Sequence, residues 1–144
     1  MTTRSDYAHL LKISTRWQDN DIYGHVNNVQ YYSFFDTVIN AWLIEQGGLD
    51  IAEGSVIGLC AESHCVYHAS LTFPETVTAA LRVARVGRSS VRYEIGLFGE
   101  EAPDAVATGW YEHVFVDRLA RRPAEIPARL RGALERLLVG GSEA

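Results

Sequence analysis

The run Val29–Gln46 decides what the rest of this chain can be. Wound at about 100° per residue, it places Tyr31, Tyr32, Phe35, Val38, Ile39 and Trp42 on one broad arc. Gln30, Ser33, Thr37 and Asn40 form a much narrower polar stripe. A surface helix carries an apolar stripe of roughly 100° or somewhat more; this one is wider, which predicts a helix mostly wrapped by the rest of the protein. Its ends are marked as well. Asn27 suits the N-cap, Gln30 stands where a capping box would place its Glu or Gln, and Gly47-Gly48 suit a left-handed C-terminal turn. Directly before the helix lies a polar stretch with two carboxylates, Asp19-Asn20-Asp21-Ile22-Tyr23-Gly24-His25-Val26-Asn27-Asn28.

With 144 residues and no repeat, low-complexity tract or linker, the chain reads as one domain over 1–144 with a single core. A net charge of −5 argues against nucleic acid as partner. Local arginine clusters (Arg82, Arg85, Arg88, Arg92; Arg118, Arg121, Arg122) leave room for a small anionic ligand. Met1 to His9 is polar and lacks the apolar core of a signal peptide, and no run of about 18 apolar residues offers a membrane span. With two cysteines only, the expectation is a reduced, cytoplasmic protein.

Strand patterns fill the remainder. Residues 10–17 alternate, with Leu11, Ile13, Thr15 and Trp17 on one side. Val56–Phe73 reads as one long strand or two with a bend, followed by Thr76–Val86, Ser89–Phe98 and Ala105–Val116. Pro127 opens a short amphipathic helix through Leu138, and Gly140–Ala144 should fray. The sum is α+β: an antiparallel five-stranded sheet curling round one long central helix. Its two open edges favour pairing into a symmetric homodimer. Cys60, His64, Cys65 and His68 suggest zinc, but geometry argues otherwise. Cys60, His64 and His68 share a strand face at spacings of four, about 13 Å apart at ~3.3 Å per residue, and Cys65 points the other way. No metal site is expected.

Arg16-Trp17-x-Asp19-x-Asp21-x-x-Gly24-His25-Val26-Asn27-Asn28-x-x-Tyr31 resembles the signature of hotdog-fold acyl-CoA thioesterases of the 4-hydroxybenzoyl-CoA thioesterase family. The similarity continues through Cys65-x-Tyr67, Leu71-Thr72-Phe73-Pro74-Glu75, Arg85-Val86-Gly87-Arg88-Ser89-Ser90 and Asp117-Arg118-x-x-Arg121-Arg122-Pro123. It implies a hotdog fold, hydrolysis of an acyl-CoA thioester without a cofactor, and a homodimer or tetramer with sites between subunits. Asp21 falls on the family's catalytic carboxylate and Asn28 on its backbone oxyanion donor. Elementary chemistry agrees: a thioester carbonyl needs a nucleophile or base and a donor for the developing oxyanion. A carboxylate ahead of a helix start supplies the first, and the unpaired amides of that start supply the second.

Gly24 is expected to let the backbone turn tightly beside the thioester, and Asp19 to be structural, pairing with Arg16. His25 and Tyr31 are read as pocket walls, and Arg88, Ser89, Ser90, Arg121 and Arg122 as holders of the coenzyme A phosphates. Asp36, on the helix, is read as a structural partner. Two other classes stay open: a hotdog enoyl-CoA hydratase using His25, and a non-catalytic domain that binds acyl-CoA or an acyl carrier. The hydratase signature carries a proline and a five-residue Asp-to-His spacing. Here the spacing is four and the loop has no proline.

Overall fold

The computed structural model describes residues 2–139. Its elements run β1 (His9–Ser14), α1 (Asn28–Glu45), β2 (Val56–Tyr67), β3 (Thr76–Val86), β4 (Ser90–Phe98), β5 (Ala107–Asp117) and α2 (Ala128–Glu135). The strands form one antiparallel sheet in the order β1-β3-β4-β5-β2, leaving β1 and β2 as edges. The expected fraying of Gly140–Ala144 falls outside the described residues. Among the described residues, no helix is long and apolar enough to cross a membrane.

The helix signals act as local chemistry requires. Asn27 Oδ1 accepts the Val29 N–H at 3.2 Å. Gln30, placed for a capping box, contributes only its own N–H, to the Asn27 carbonyl at 2.9 Å. At the far end Gly48 takes φ +70°, and the Leu49 N–H closes on the Leu43 carbonyl at 3.0 Å, a six-residue Schellman-type closure. Tyr31, Phe34, Phe35, Val38, Ile39, Trp42 and Leu43 recur every three or four residues and are buried against the sheet. Any side chain at Gly109 of β5 would run into the His64 carbonyl and the Phe35 ring, so this glycine is where the helix lies flat on the sheet. Burying Phe35 completely contributes roughly 2–3 kcal/mol.

The expectation of a helix mostly wrapped needs correction. One chain covers one side of α1, while Tyr32 is 36% and Ile44 46% exposed, with Ser33, Asp36 and Thr37 also open. The sheet curls round a single side, so the wide apolar arc spills past what the chain itself can bury.

Three further differences have local causes. Trp17 is not in β1; the Asp19 carboxylate draws the Arg16 N–H to 2.8 Å and winds Trp17–Asp19 into a 3-10 turn. The long strand expected over Val56–Phe73 stops at Tyr67, and 68–75 crosses instead beneath the Asp21 turn. A bulge in β2 sets Cys60 opposite His113 but Glu62 opposite Glu112, which inverts the alternation. Cys60 therefore shares the helix-side face with Cys65, and His64 lies on the outer face stacked on Trp110 at 5.6 Å. The common face assumed for Cys60, His64 and His68 does not exist.

Candidate active site

The turn carrying Asp21 is held from three directions. From behind, Asp19 is 1% exposed and accepts Arg16 Nε at 3.1 Å and Nη2 at 2.7 Å, besides the Arg16 amide. Its carbonyl takes the Asn27 N–H at 2.8 Å, so the same residue anchors the entry to α1. Within the turn, the Asp21 N–H bonds the His25 carbonyl at 2.9 Å and the Gly24 N–H the Asp21 carbonyl at 3.1 Å. Gly24 sits at φ +80° with open space where a Cβ would be, so conformation rather than clearance calls for glycine here. From below, residues 68–75 brace the turn: Val26 N–H to Leu71 carbonyl (2.8 Å), Phe73 N–H to Asn20 Oδ1 (3.1 Å), and Thr72 Oγ1 to the Gly24 carbonyl (2.8 Å).

The Asp21 carboxylate is half-buried and accepts the Tyr23 N–H through Oδ1 at 2.9 Å; Oδ2 takes no partner among the described residues. Trp17, Asn20, Asp21, Ile22 and Gly24 line an open depression. Its rim is unusually apolar, since Trp17, Ile22 and Tyr23 are 76%, 93% and 78% exposed. His25 is exposed, and its imidazole bonds nothing among the described residues.

The backbone amides at the helix start can be accounted for one by one. Val26 N–H goes to Leu71, Asn27 N–H to Asp19, Val29 N–H to the Asn27 side chain and Gln30 N–H to the Asn27 carbonyl. The Asn28 N–H alone in this run has no partner among the described residues. It is an orphan donor at the positive end of an 18-residue helix.

Around this amide the Tyr67 hydroxyl donates to the Asn28 carbonyl at 3.0 Å, and the Tyr67 ring lies edge-on to Tyr31 at 4.9 Å. Tyr31 is 3% exposed and its hydroxyl accepts the Leu71 N–H at 3.2 Å. The structure thus places Tyr31 in the core rather than on an open wall. Asp36 bonds the Tyr111 hydroxyl at 2.9 Å and Asn40 Nδ2 at 3.0 Å, the structural pairing expected of it. Asp21, Gly24, His25 and Asn28 are brought together in one chain.

The arginines are not. Arg88 and Ser89 lie in the β3–β4 turn, Ser90 opens β4, and Arg121 and Arg122 follow β5. That is the opposite end of the strands from Leu71–Phe73 and Asp21, roughly 30 Å away along the eleven residues of β3 at ~3.3 Å each. Arg88 faces Glu125 at 3.6 Å, and the Arg121 guanidinium bonds the Arg118 carbonyl at 2.9 Å. Asn20, Thr72 and Tyr67 escaped the sequence reading as separate contributors. Only the recurrence of Tyr67 and Thr72 within the quoted similarity segments hinted at them.

A family model described as the thioesterase-like superfamily matches residues 15–134. No curated protein matches the chain. Among solved structures, the PA5185 protein from Pseudomonas aeruginosa is 55% identical, with 95% of this chain and 96% of that chain covered and a TM-score of 0.93. The PA2801 protein from Pseudomonas aeruginosa, a candidate thioesterase, is 31% identical over 88% of this chain and 97% of that one (TM-score 0.82). A likeness in fold extends to Slr0204 of Synechocystis, a 1,4-dihydroxy-2-naphthoyl-CoA thioesterase: 16% identity, 87% and 93% coverage, TM-score 0.78.

Proposed function

Because the chain belongs to the thioesterase-like superfamily and is a thioester hydrolase, we propose that it hydrolyses acyl-CoA on a hotdog scaffold, with Asp21 and the Asn28 amide as its working groups. The observation that carries this reading is that, of the amides of residues 26–30, the Asn28 N–H has no partner among the described residues and stands at the helix start that follows the Asp21 turn. A thioester carbonyl hydrogen-bonded there gains stabilisation as its oxygen becomes an oxyanion, and the helix end adds to it. Asp21 either attacks the carbonyl carbon or takes a proton from the water that does. Collapse of the tetrahedral adduct breaks the C–S bond and releases the coenzyme as its thiol. The acyl group leaves as the carboxylic acid, after water has cleaved the anhydride if Asp21 attacked directly.

Within one chain Asp21 and the arginines lie too far apart to share a ligand, so a coenzyme A site built from both requires a second copy. The Asp21 end of the sheet adjoins Tyr67, the last residue of edge strand β2, while Arg118 bonds Ser55 just before Val56, the first. A two-fold pairing of β2 with its copy runs antiparallel. It sets the basic end of one subunit beside the Asp21 end of the other. The partner's Arg88, Ser89, Ser90, Arg121 and Arg122 would then meet the coenzyme phosphates.

The test is hydrolysis of an acyl-CoA panel, following free thiol, with wild type and Asp21→Asn side by side. Removing a positioned base costs about 10²–10⁴ in rate. We expect kcat to fall by that order in Asp21→Asn, with folding intact and Asp36→Asn far less affected. Retained activity in Asp21→Asn with loss in His25→Ala would move the chemistry to His25.

A further inference from the structure

Tyr67 lies in none of the roles assigned so far, yet it touches the residue on which the reaction is proposed to turn. Its hydroxyl ends on the Asn28 carbonyl at 3.0 Å. The same peptide unit continues into the Val29 N–H, which ends on Asn27 Oδ1 at 3.2 Å. One peptide plane is thus fixed at both ends, by a strand residue on one side and the N-cap side chain on the other. Bonds in series through one peptide polarise each other, so the Tyr67 bond also strengthens the cap. The neighbouring plane, which carries the free Asn28 N–H, is tied by the Gln30 N–H on its Asn27 carbonyl.

The clamp is itself braced. The Tyr67 ring rests on Tyr31, Tyr31 is pinned by the Leu71 N–H, and the Leu71 carbonyl holds Val26. Residues 26, 28, 31, 67 and 71 are therefore linked in one chain of contacts round the helix entrance. Partial burial and the neighbouring Cys65 hold the Tyr67 phenol up to about 12, so it stays a donor throughout the pH range of an assay.

We propose that Tyr67 is a positioning residue that fixes the first peptides of α1 so that the Asn28 N–H is aimed before substrate arrives. The proposal rests on the reading of Asn28 as oxyanion donor. It goes beyond that reading by naming what preorganises the donor.

Tyr67→Phe keeps the ring on Tyr31 and removes the hydroxyl. Misplacing a donor by a fraction of an ångström lowers the chemical step without touching remote binding, so kcat should fall about ten-fold with KM within about two-fold. The pH profile should keep its shape. Replacement of Tyr67 by para-aminophenylalanine, which restores a donor, should return most of the loss. Independently of activity, amide exchange followed by NMR should show the Val29 N–H exchanging about ten-fold faster in Tyr67→Phe, while amides in β4 keep their protection.

Unchanged kcat in Tyr67→Phe on a substrate the wild type hydrolyses would overturn the proposal. So would a rise in KM alone, or a loss that para-aminophenylalanine does not repair. A wild type inactive on every acyl-CoA would instead refute the proposed function. The exchange measurement would still judge the clamp, with unchanged Val29 exchange overturning it.

Discussion

His113 should make this protein lose stability between about pH 6.5 and pH 4, through a group with no part in the proposed reaction. The imidazole is 2% exposed on the helix side of β5, with Nδ1 3.1 Å from the Tyr93 hydroxyl. Tyr93, Tyr111 and Phe115 stand edge-on to it at 5.3, 5.1 and 5.7 Å. Burial disfavours the imidazolium and lowers the value from 6.5 to about 4; the nearby Asp36 carboxylate opposes this more weakly.

As pH falls, the unfolded chain therefore binds its proton first. Stability from this group is complete above about 6.5, is lost progressively towards 4, and does not change further below. The interval is worth roughly 3 kcal/mol at about 1.4 kcal/mol per pH unit. Urea unfolding of wild type and His113→Phe from pH 8 to 4, at one protein concentration, isolates the effect. The substitution carries its own fixed cost, including a Tyr93 hydroxyl left without its His113 partner, but that cost does not vary with pH. The stability difference between the two proteins should shift by roughly 3 kcal/mol in favour of the variant as pH drops. A difference constant to within about 0.5 kcal/mol would refute the claim that His113 is held neutral by burial.

The β2 edge should pair two copies, so sedimentation at micromolar concentration should give twice the 16.0 kDa chain mass; a monomer would remove the composite site. In that dimer, Arg88→Ala, Arg121→Ala and Arg122→Ala should raise KM for acyl-CoA more than they lower kcat, because phosphate contacts act alike on ground and transition states. Unchanged KM in all three at low salt would take the coenzyme away from this end of the sheet.

What the sequence made legible was what neighbours in sequence decide. Asn27 and Gly48 close α1 with their own side chain and backbone, so the helix-end signals depend on only a few neighbouring residues. Alternation survives over Ser90–Ile95 of β4 and Tyr111–Phe115 of β5, which lie inside the sheet with one buried face, and is lost at the end of β4, where Phe98 is buried in a second cluster with Tyr7, Ala80 and Ala105. The bulge at Cys60–Glu62 left no sign in composition, yet it moved Cys60 to the other face and undid an argument built on strict alternation. Likewise, nothing local says that 68–75 passes under the Asp21 turn. Thr72, Asn20 and Leu71 gain their roles from a contact between segments about fifty residues apart. Asp19 lay between these cases, because its partner Arg16 is three residues away and its carbonyl partner Asn27 only eight.

The arginines show how residues of a type suited to a ligand can lie far from the site expected to bind it. Arg88 and Asp21 are neighbours in function only if two chains are counted, because an antiparallel sheet puts the β3–β4 turn and the β1–α1 turn at opposite ends. A monomer with both would need its ligand to span the sheet, roughly 30 Å. An edge two-fold removes that distance without altering a bond inside either chain, since reversal of β2 against its copy exchanges the ends. The open stripe of α1, with Tyr32 and Ile44 uncovered, and the exposed Ile22 and Tyr23 at the Asp21 turn are apolar surface that a single chain leaves unburied. In the proposed dimer, the axis that joins the subunits would also be the one that brings the phosphate-binding arginines of one copy to the Asp21 turn of the other.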